Sequence, residues 1–247
     1  MAISRSQLVK ELEPGLNALF GLEYKRYENQ HAEIYTSESS DRAFEEEVML
    51  SGFANAQIKG EGQGVAFDEA QETYTARYTN ETIALAFAIT EEAIEDNLYD
   101  RLASRYTKAL ARSMSNAKEV KGAQPLNNGL PGVATFNSGD GVSLFNTAHT
   151  TISGTNVSNT LTTQADLNET SLEAALIDIA AFTDERGLRI AAKGVKMIIP
   201  SANQFNAERL MKSQGRPGTA DNDINAINSM GMIPQGYRVN NFLTDAD

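Results

Sequence analysis

Few residues in this chain are spaced for chemistry. Its two histidines, His31 and His149, stand far apart, and neither has a second histidine or a thiolate at metal-ligand spacing. Cysteine is absent, which removes thiolate nucleophiles, thiolate metal sites and disulfides together. No Gly-x-Ser-x-Gly elbow occurs. Gly60, Gly62 and Gly64 alternate too tightly for a dinucleotide fingerprint, and no Gly-Lys-Ser/Thr follows to make a phosphate loop. Asp221-Asn222-Asp223-Ile224-Asn225 opens like a calcium loop, yet Ala226 replaces the required glycine and Met232 stands where the bidentate glutamate belongs. Ser115 and Lys118 have Ser-x-x-Lys spacing, but both belong to the polar side of one helix. Asn80, Asn156 and Asn168 open Asn-x-Ser/Thr triplets that carry no weight without a secretory signal. The expectation is a protein with no catalytic residue, no metal and no cofactor.

The elements around these residues say more. Ile83, Leu85, Phe87 and Ile89 alternate with small residues, the period of a strand with one buried face. At Thr90 the period changes. Ile94, Leu98, Leu102, Tyr106, Leu110 and Met114 recur every four residues, and Ala117 and Val120 continue the stripe. Thr90 suits an N-cap, Glu91 and Glu92 the positive helix end, Lys118 and Lys121 the negative end, and Gly122 the stop. Such a helix would be roughly 45 Å long at 1.5 Å per residue. A rod of that length suits a subunit spread into a flat tile better than a small enzyme.

Ahead of it, residues 4–27 form one or two short helices interrupted at Pro14-Gly15, with Leu8, Leu12, Leu16, Leu19 and Phe20 on a face. Residues 33–42 are a polar linker. Residues 48–89 make a two-stranded excursion whose tip is Gly60-Glu61-Gly62-Gln63-Gly64, with a second reversal available at residues 68–72. Tyr74, Ala76 and Tyr78 share one strand face, and the face switches near Asn80, which predicts a bulge there. An isolated two-stranded hairpin is marginal in water, so it needs a surface to lie on.

Beyond Gly122 the chain is loop-rich to about Gln164, with apolar islands at 133–136 and 142–145. Thr170-Ser171-Leu172-Glu173 has capping-box spacing and opens a helix that Gly187 closes. Residues 195–199 form a short strand and Ser201 caps a helix to about Lys212. Brief strands follow at 232–234 and 237–243. Net charge is −12, without a basic stripe for naked nucleic acid, and no apolar run is long enough to span a membrane. Met1-Ala2-Ile3-Ser4-Arg5 lacks the apolar stretch of a signal peptide, so synthesis and assembly are expected in the cytosol.

The block Ala86-Phe87-Ala88-Ile89-Thr90-Glu91-Glu92-Ala93-Ile94-Glu95-Asp96 runs on through Lys121 to Pro125-Leu126-Asn127-Asn128-Gly129-Leu130-Pro131-Gly132. With Leu144-Phe145-Asn146-Thr147-Ala148-His149 and Met197-Ile198-Ile199-Pro200-Ser201, it resembles the major capsid proteins of tailed bacteriophages, the Mu-like head subunits in particular. The resemblance covers nearly the whole chain in order, and no single block is a signature. It implies an α+β capsid fold with an N-terminal arm (1–42), an extended β-hairpin loop (43–89), a peripheral domain with a long spine helix (90–130) and an axial domain (131–247). It implies a structural role: pentamers and hexamers of an icosahedral head enclosing double-stranded DNA without sequence-specific binding. Scaffolding, portal and decoration proteins become expected partners, and the virion the location. Subunit-interface candidates are Leu8, Leu12, Leu16, Phe20, Lys59, Glu61, Tyr74, Arg77 and Tyr78.

Some capsids of this fold join a lysine to an asparagine of another subunit beside a buried glutamate. No such trio can be identified around Lys59, which is read as a solvated or salt-bridged lysine. The family's C-terminal strands return to the peripheral domain, whereas this sequence stops at Asp247, so a truncated chain is expected; no long scaffolding segment precedes the arm, so a separate scaffolding protein is expected. The alternative role is an encapsulin-like shell around a protein cargo.

Overall fold

The computed structural model describes residues 5–88, 90, 99–132, 136–218 and 223–244. They fall into two units, one of residues 1–37 with 81–122 and the other of 38–80 with 123–247.

In the first unit, α1 (Arg5–Arg26) runs unbroken through Pro14-Gly15, where two pieces were expected. Proline's φ is already near-helical, so here it forfeits a backbone hydrogen bond without ending the helix. A short 3₁₀ turn follows at Gln30–Glu33. Among the described residues, 80–88 pair with nothing in a sheet, so the alternation of Ile83, Leu85 and Phe87 does not make a strand there. Period 2 reports an extended backbone, and a strand also needs a neighbour to accept its hydrogen bonds. Phe87 instead sits against Tyr106, with ring centroids 5.9 Å apart.

Helix α2 (Tyr99–Asn127) is the long rod, and it continues past Gly122 and Pro125. Gly122 serves a different purpose: a Cβ there would lie 2.8 Å from His31 Cβ, so its absence permits a close approach. The expected opening at Thr90 rests on residues 91–98, which lie outside the described residues, as do Ile94 and Leu98. The four-residue spacing holds, but the buried face is one residue round from the expected stripe. Ala103, Thr107, Ala111, Ser115 and Glu119 are buried, whereas Leu102, Leu110 and Met114 are half-buried and Tyr106 is 51% exposed. One residue is a rotation of about 100°. Small side chains let neighbouring backbone come close, and the large apolar ones are left on the flank.

In the second unit, β1 (Phe44–Leu50) and β2 (Glu72–Thr79) form an antiparallel pair with Glu46 opposite Arg77 and Glu47 opposite Ala76. Its irregularity lies between Val48 and Leu50 and not near Asn80. Asn80 closes the ladder by donating its N–H to Ala43 O at 3.0 Å. Two small antiparallel strands, β3 (His149–Thr150) and β4 (Asn156–Val157), follow. Helix α3 (Glu169–Ala181) is capped two residues earlier than Thr170-Glu173 spacing suggested: Asn168 Oδ1 accepts the Ser171 N–H and Ser171 Oγ accepts the Asn168 N–H, both at 2.9 Å. Gly187 does not end that helix; it makes the following turn, at φ 84°.

β5 (Met197–Pro200) lies parallel to β6 (Tyr237–Asn240), flanked by α4 (Gln204–Lys212) and α5 (Ala226–Met230). Ser201 starts a 3₁₀ turn ahead of α4 without capping it through its side chain, and residues 232–234 are not a strand. Leu172, Leu176, Ile227 and Ile233 make the core, with Met197 and Met211 packed against it. Among the described residues Asn225 is the largest fully buried side chain. Its amide donates to Leu210 O at 2.7 Å and Ser213 O at 3.0 Å, while its oxygen accepts the Ile227 N–H at 3.1 Å. One side chain therefore satisfies the C-terminal end of α4 and the N-terminal end of α5.

Asn225→Ala removes a cap and strands buried carbonyls, so it should cost roughly 2–4 kcal/mol in thermal or urea unfolding. On α2, Ala111→Leu should cost about 1–3 kcal/mol through overpacking, while Leu110→Ala, only half-buried, should cost under about 2 kcal/mol. The reverse order would place the buried face back on the leucine stripe.

Candidate assembly surface

Beyond Leu50 the hairpin leaves its ladder and runs out as an excursion of some twenty residues. Ser51 N–H donates to Gln71 O at 2.8 Å, and Ala54 N–H donates to the Asp68 carboxylate at 2.7 Å. That bond, with a second from the Glu69 N–H at 3.0 Å, holds the Asp68 carboxyl below the usual aspartate range. The reversal falls at the glycine-rich tip: Gln63 N–H donates to Gly60 O at 3.2 Å, with Gly62 at φ 78°. The alternative reversal at 68–72 is not used.

This excursion is apolar and bare. Phe53 is 61% exposed, Val65 68%, Phe67 98% and Ile58 fully exposed. Exposed apolar side chains concentrated on one projecting element mark an interaction surface. Lys59 and Glu61 are exposed at its tip. At the root, Tyr74 is half-buried and its hydroxyl donates to Thr150 O at 2.7 Å, whereas Tyr78 is 56% exposed. Arg77 lies over the Phe44 ring at 4.4 Å and pairs with Glu46 of its own hairpin at 2.5 Å. Leu16 and Phe20 of α1 are half-buried, and the side chains of Leu8 and Leu12 lie outside what the structure describes. The root candidates thus come together, while Lys59 and Glu61 stand apart at the far end.

The root rests on residues 138–157 and on the turn at 184–188. Gly139 permits the contact, since a Cβ there would meet Tyr74 Cβ at 2.9 Å. Arg186 Nη2 donates to Glu69 O at 2.7 Å. Between root and loop lies a cavity of about 670 Å³ that includes Asp140, His149 and Glu185 in its lining.

Both histidines meet carboxylates that sequence spacing did not reveal. His31 Nδ1 lies 2.7 Å from Glu119 Oε1, and its backbone N–H donates to Glu119 Oε2 at 2.9 Å, across 88 residues of sequence. His149 Nδ1 lies 2.8 Å from Asp140 Oδ2, and Ser138 Oγ donates to the other carboxylate oxygen. These are the residue types of a catalytic triad in the wrong order. The serine bonds the aspartate, while His149 Nε2, where a nucleophile would sit, is buried with no partner. The arrangement fastens a loop. Among the described residues no group of three or more His, Asp or Glu side chains could hold a metal ion, and no helix is long and apolar enough to cross a membrane.

With that geometry established, the relationships are direct. Residues 73–247 match the model of a family described as phage capsid protein. The chain belongs to that family: it is a structural capsid protein with the α+β fold of tailed-phage major capsid subunits. It is similar to the procapsid protein of bacteriophage JBD30, at 14% identity and TM-score 0.63 over 98% of this chain and 100% of that one. Two further JBD30 structures, the capsid and the capsid decorated with minor capsid protein trimers, match at 12% identity over 88% of this chain and 92% of theirs. Their TM-scores are 0.62 for the capsid and 0.63 for the decorated capsid. No curated protein matches the chain. The expected family and fold are borne out, and the encapsulin alternative is not favoured.

Burial opposes the Asp140 charge, but hydrogen bonds from Ser138, His149 and the Val142 N–H outweigh it and hold the carboxyl below its ordinary value. Its folded pKa therefore lies under the unfolded value of about 3.9, so it contributes stability above that pH, lost as pH falls through the folded pKa. Asp140→Asn should lower stability at pH 7 and flatten the acid limb of the pH–stability curve below about pH 5. An acid limb unchanged in calorimetry would show that this carboxylate is not linked to folding.

Proposed function

We propose that this chain is the major head subunit of a Mu-like tailed phage, assembling as pentamers and hexamers into an icosahedral shell around double-stranded DNA. The observation that carries this reading is the hairpin. Its 51–71 excursion exposes Phe53, Ile58, Val65 and Phe67, while the bonds that hold it lie at and near its two-stranded root. Two-stranded pairs are marginal by themselves, so the element needs a second copy to lie across. In this reading residues 1–42 are the arm, 43–89 the hairpin loop, 90–130 the spine helix with its following loop, and 131–247 the axial domain. Leu8, Leu12, Leu16 and Phe20 serve the arm contacts, while Lys59, Glu61, Tyr74, Arg77 and Tyr78 serve the hairpin contacts.

The shell forms in the host cytoplasm, with scaffolding and portal proteins as expected partners. The JBD30 capsid carries minor capsid protein trimers, and a comparable decoration protein is an expected partner here. DNA is enclosed without sequence recognition: the net charge of −12 favours a wall that does not hold a polyanion by ion pairing. The protein has no catalytic role.

Replacing residues 55–66 with two glycines keeps both strands of the root. The variant should melt as a folded subunit yet yield no shells by negative-stain microscopy and sedimentation. Normal shells from it would remove the hairpin from assembly. Particles of the unaltered chain that hold a protein cargo and no DNA would instead favour the encapsulin role.

A further inference from the structure

The cavity at the hairpin root and the hairpin tip have complementary chemistry. The cavity, about 670 Å³, has an apolar side that includes Val48, Met49 and Ala76, and carboxylates at Glu47, Asp140 and Glu185. Neither lysine nor arginine contributes to its lining among the described residues. Asp140 is fully engaged by Ser138, Val142 and His149. The other two are not: among the described residues Glu47 accepts only a long bond from Tyr78 at 3.3 Å, and Glu185 one from the Ile152 N–H at 3.4 Å. Each keeps lone pairs for a donor. The tip presents the converse pair, Ile58 fully exposed beside exposed Lys59.

We infer that Ile58 and Lys59 of one copy seat in the hairpin-root cavity of the next copy, with Ile58 against the Val48–Met49 side and Lys59 against Glu47 and Glu185. The inference rests on the reading that the hairpin crosses to a neighbour, and it names the receiving site. A chain cannot fill its own cavity this way. Extended backbone rises about 3.3 Å per residue, so roughly ten residues from root to tip carry the tip about 30 Å out. Adjacent residues of an extended segment point to opposite sides, which suits a cavity whose β1–β2 wall carries Met49 and Ala76 with Glu47 beside them, and whose lining also includes Glu185 from the 184–188 turn. Tip and root are different patches, so the contact is head-to-tail, the kind that closes into rings when the rotation allows.

The chain has no cysteine, which makes crosslinking clean. Ile58→Cys with Ala76→Cys, assembled and mildly oxidised, should give a ladder of covalent multimers on a denaturing non-reducing gel. Either single variant should give none. Shells without a ladder from the double variant, or dimers from Ile58→Cys alone, would overturn the inference. Both results leave the hairpin reading to be judged by the 55–66 replacement. Should the double-cysteine chain not assemble, charge reversal decides. Lys59→Glu should raise the subunit concentration needed for shells roughly tenfold, and adding Glu185→Lys should restore it. No restoration overturns the proposed seat.

Discussion

A two-stranded sheet has no interior, and that constraint governs the hairpin of this molecule. Every residue of β1 and β2 lies at an edge, and beyond Leu50 even the ladder is abandoned for isolated bonds such as Ala54 to Asp68. What holds the hairpin is its root: Tyr74 on Thr150, Arg186 on Glu69, and the close approach that Gly139 allows. The outer part is held only along its own length, and it carries the barest apolar side chains of the second unit. An element built this way has a fixed base and an unsatisfied end, and the proposed contact with a neighbouring copy rests on that asymmetry.

The same division between self-sufficient and unsatisfied surface recurs elsewhere. The core of Leu172, Leu176, Ile227 and Ile233 is small, and much of the order around it comes from polar clasps. Asn225 joins two helix ends, Asn168 and Ser171 close a capping box, and Asp140 gathers Ser138, Val142 and His149. Such clasps have strict geometry, so they fix loops in one arrangement even where little apolar area is buried. In the first unit the His31–Glu119 pair does the same across 88 residues of sequence. Helix α2 buries alanine, threonine and serine and leaves Tyr106 and Val120 exposed, so its larger apolar side chains are spare.

Chemistry-bearing residue types are used for structure throughout. Serine, aspartate and histidine meet at Ser138, Asp140 and His149, yet their connectivity leaves no activated nucleophile. The acidic composition is local as well as global, since carboxylates at Glu47 and Glu185 line the root cavity while Lys59 stands at the tip. Membership of the phage capsid family gives these features one context, a subunit whose function is contact.

The sequence by itself determined the kinds of element and their order. Period-4 spacing marked the long helix, glycines marked the hairpin tip, and the absence of cysteine and of any spaced ligand set pointed away from a cofactor site. Ordered blocks along the chain pointed to the family. Spacing could not say which face of the helix is buried, because the leucine stripe and the alanine–serine stripe share a period and differ only in what packs on them. It could not say that residues 80–88 lack a partner strand, because pairing is a property of two segments. Gly122 and Gly187 suggested stops, yet the first admits His31 and the second makes a turn beyond a helix that has already ended. The histidine–carboxylate pairs and the root cavity were likewise decided only in three dimensions, because residues far apart in the chain, such as Tyr74 and Thr150, have no local signal that they will touch.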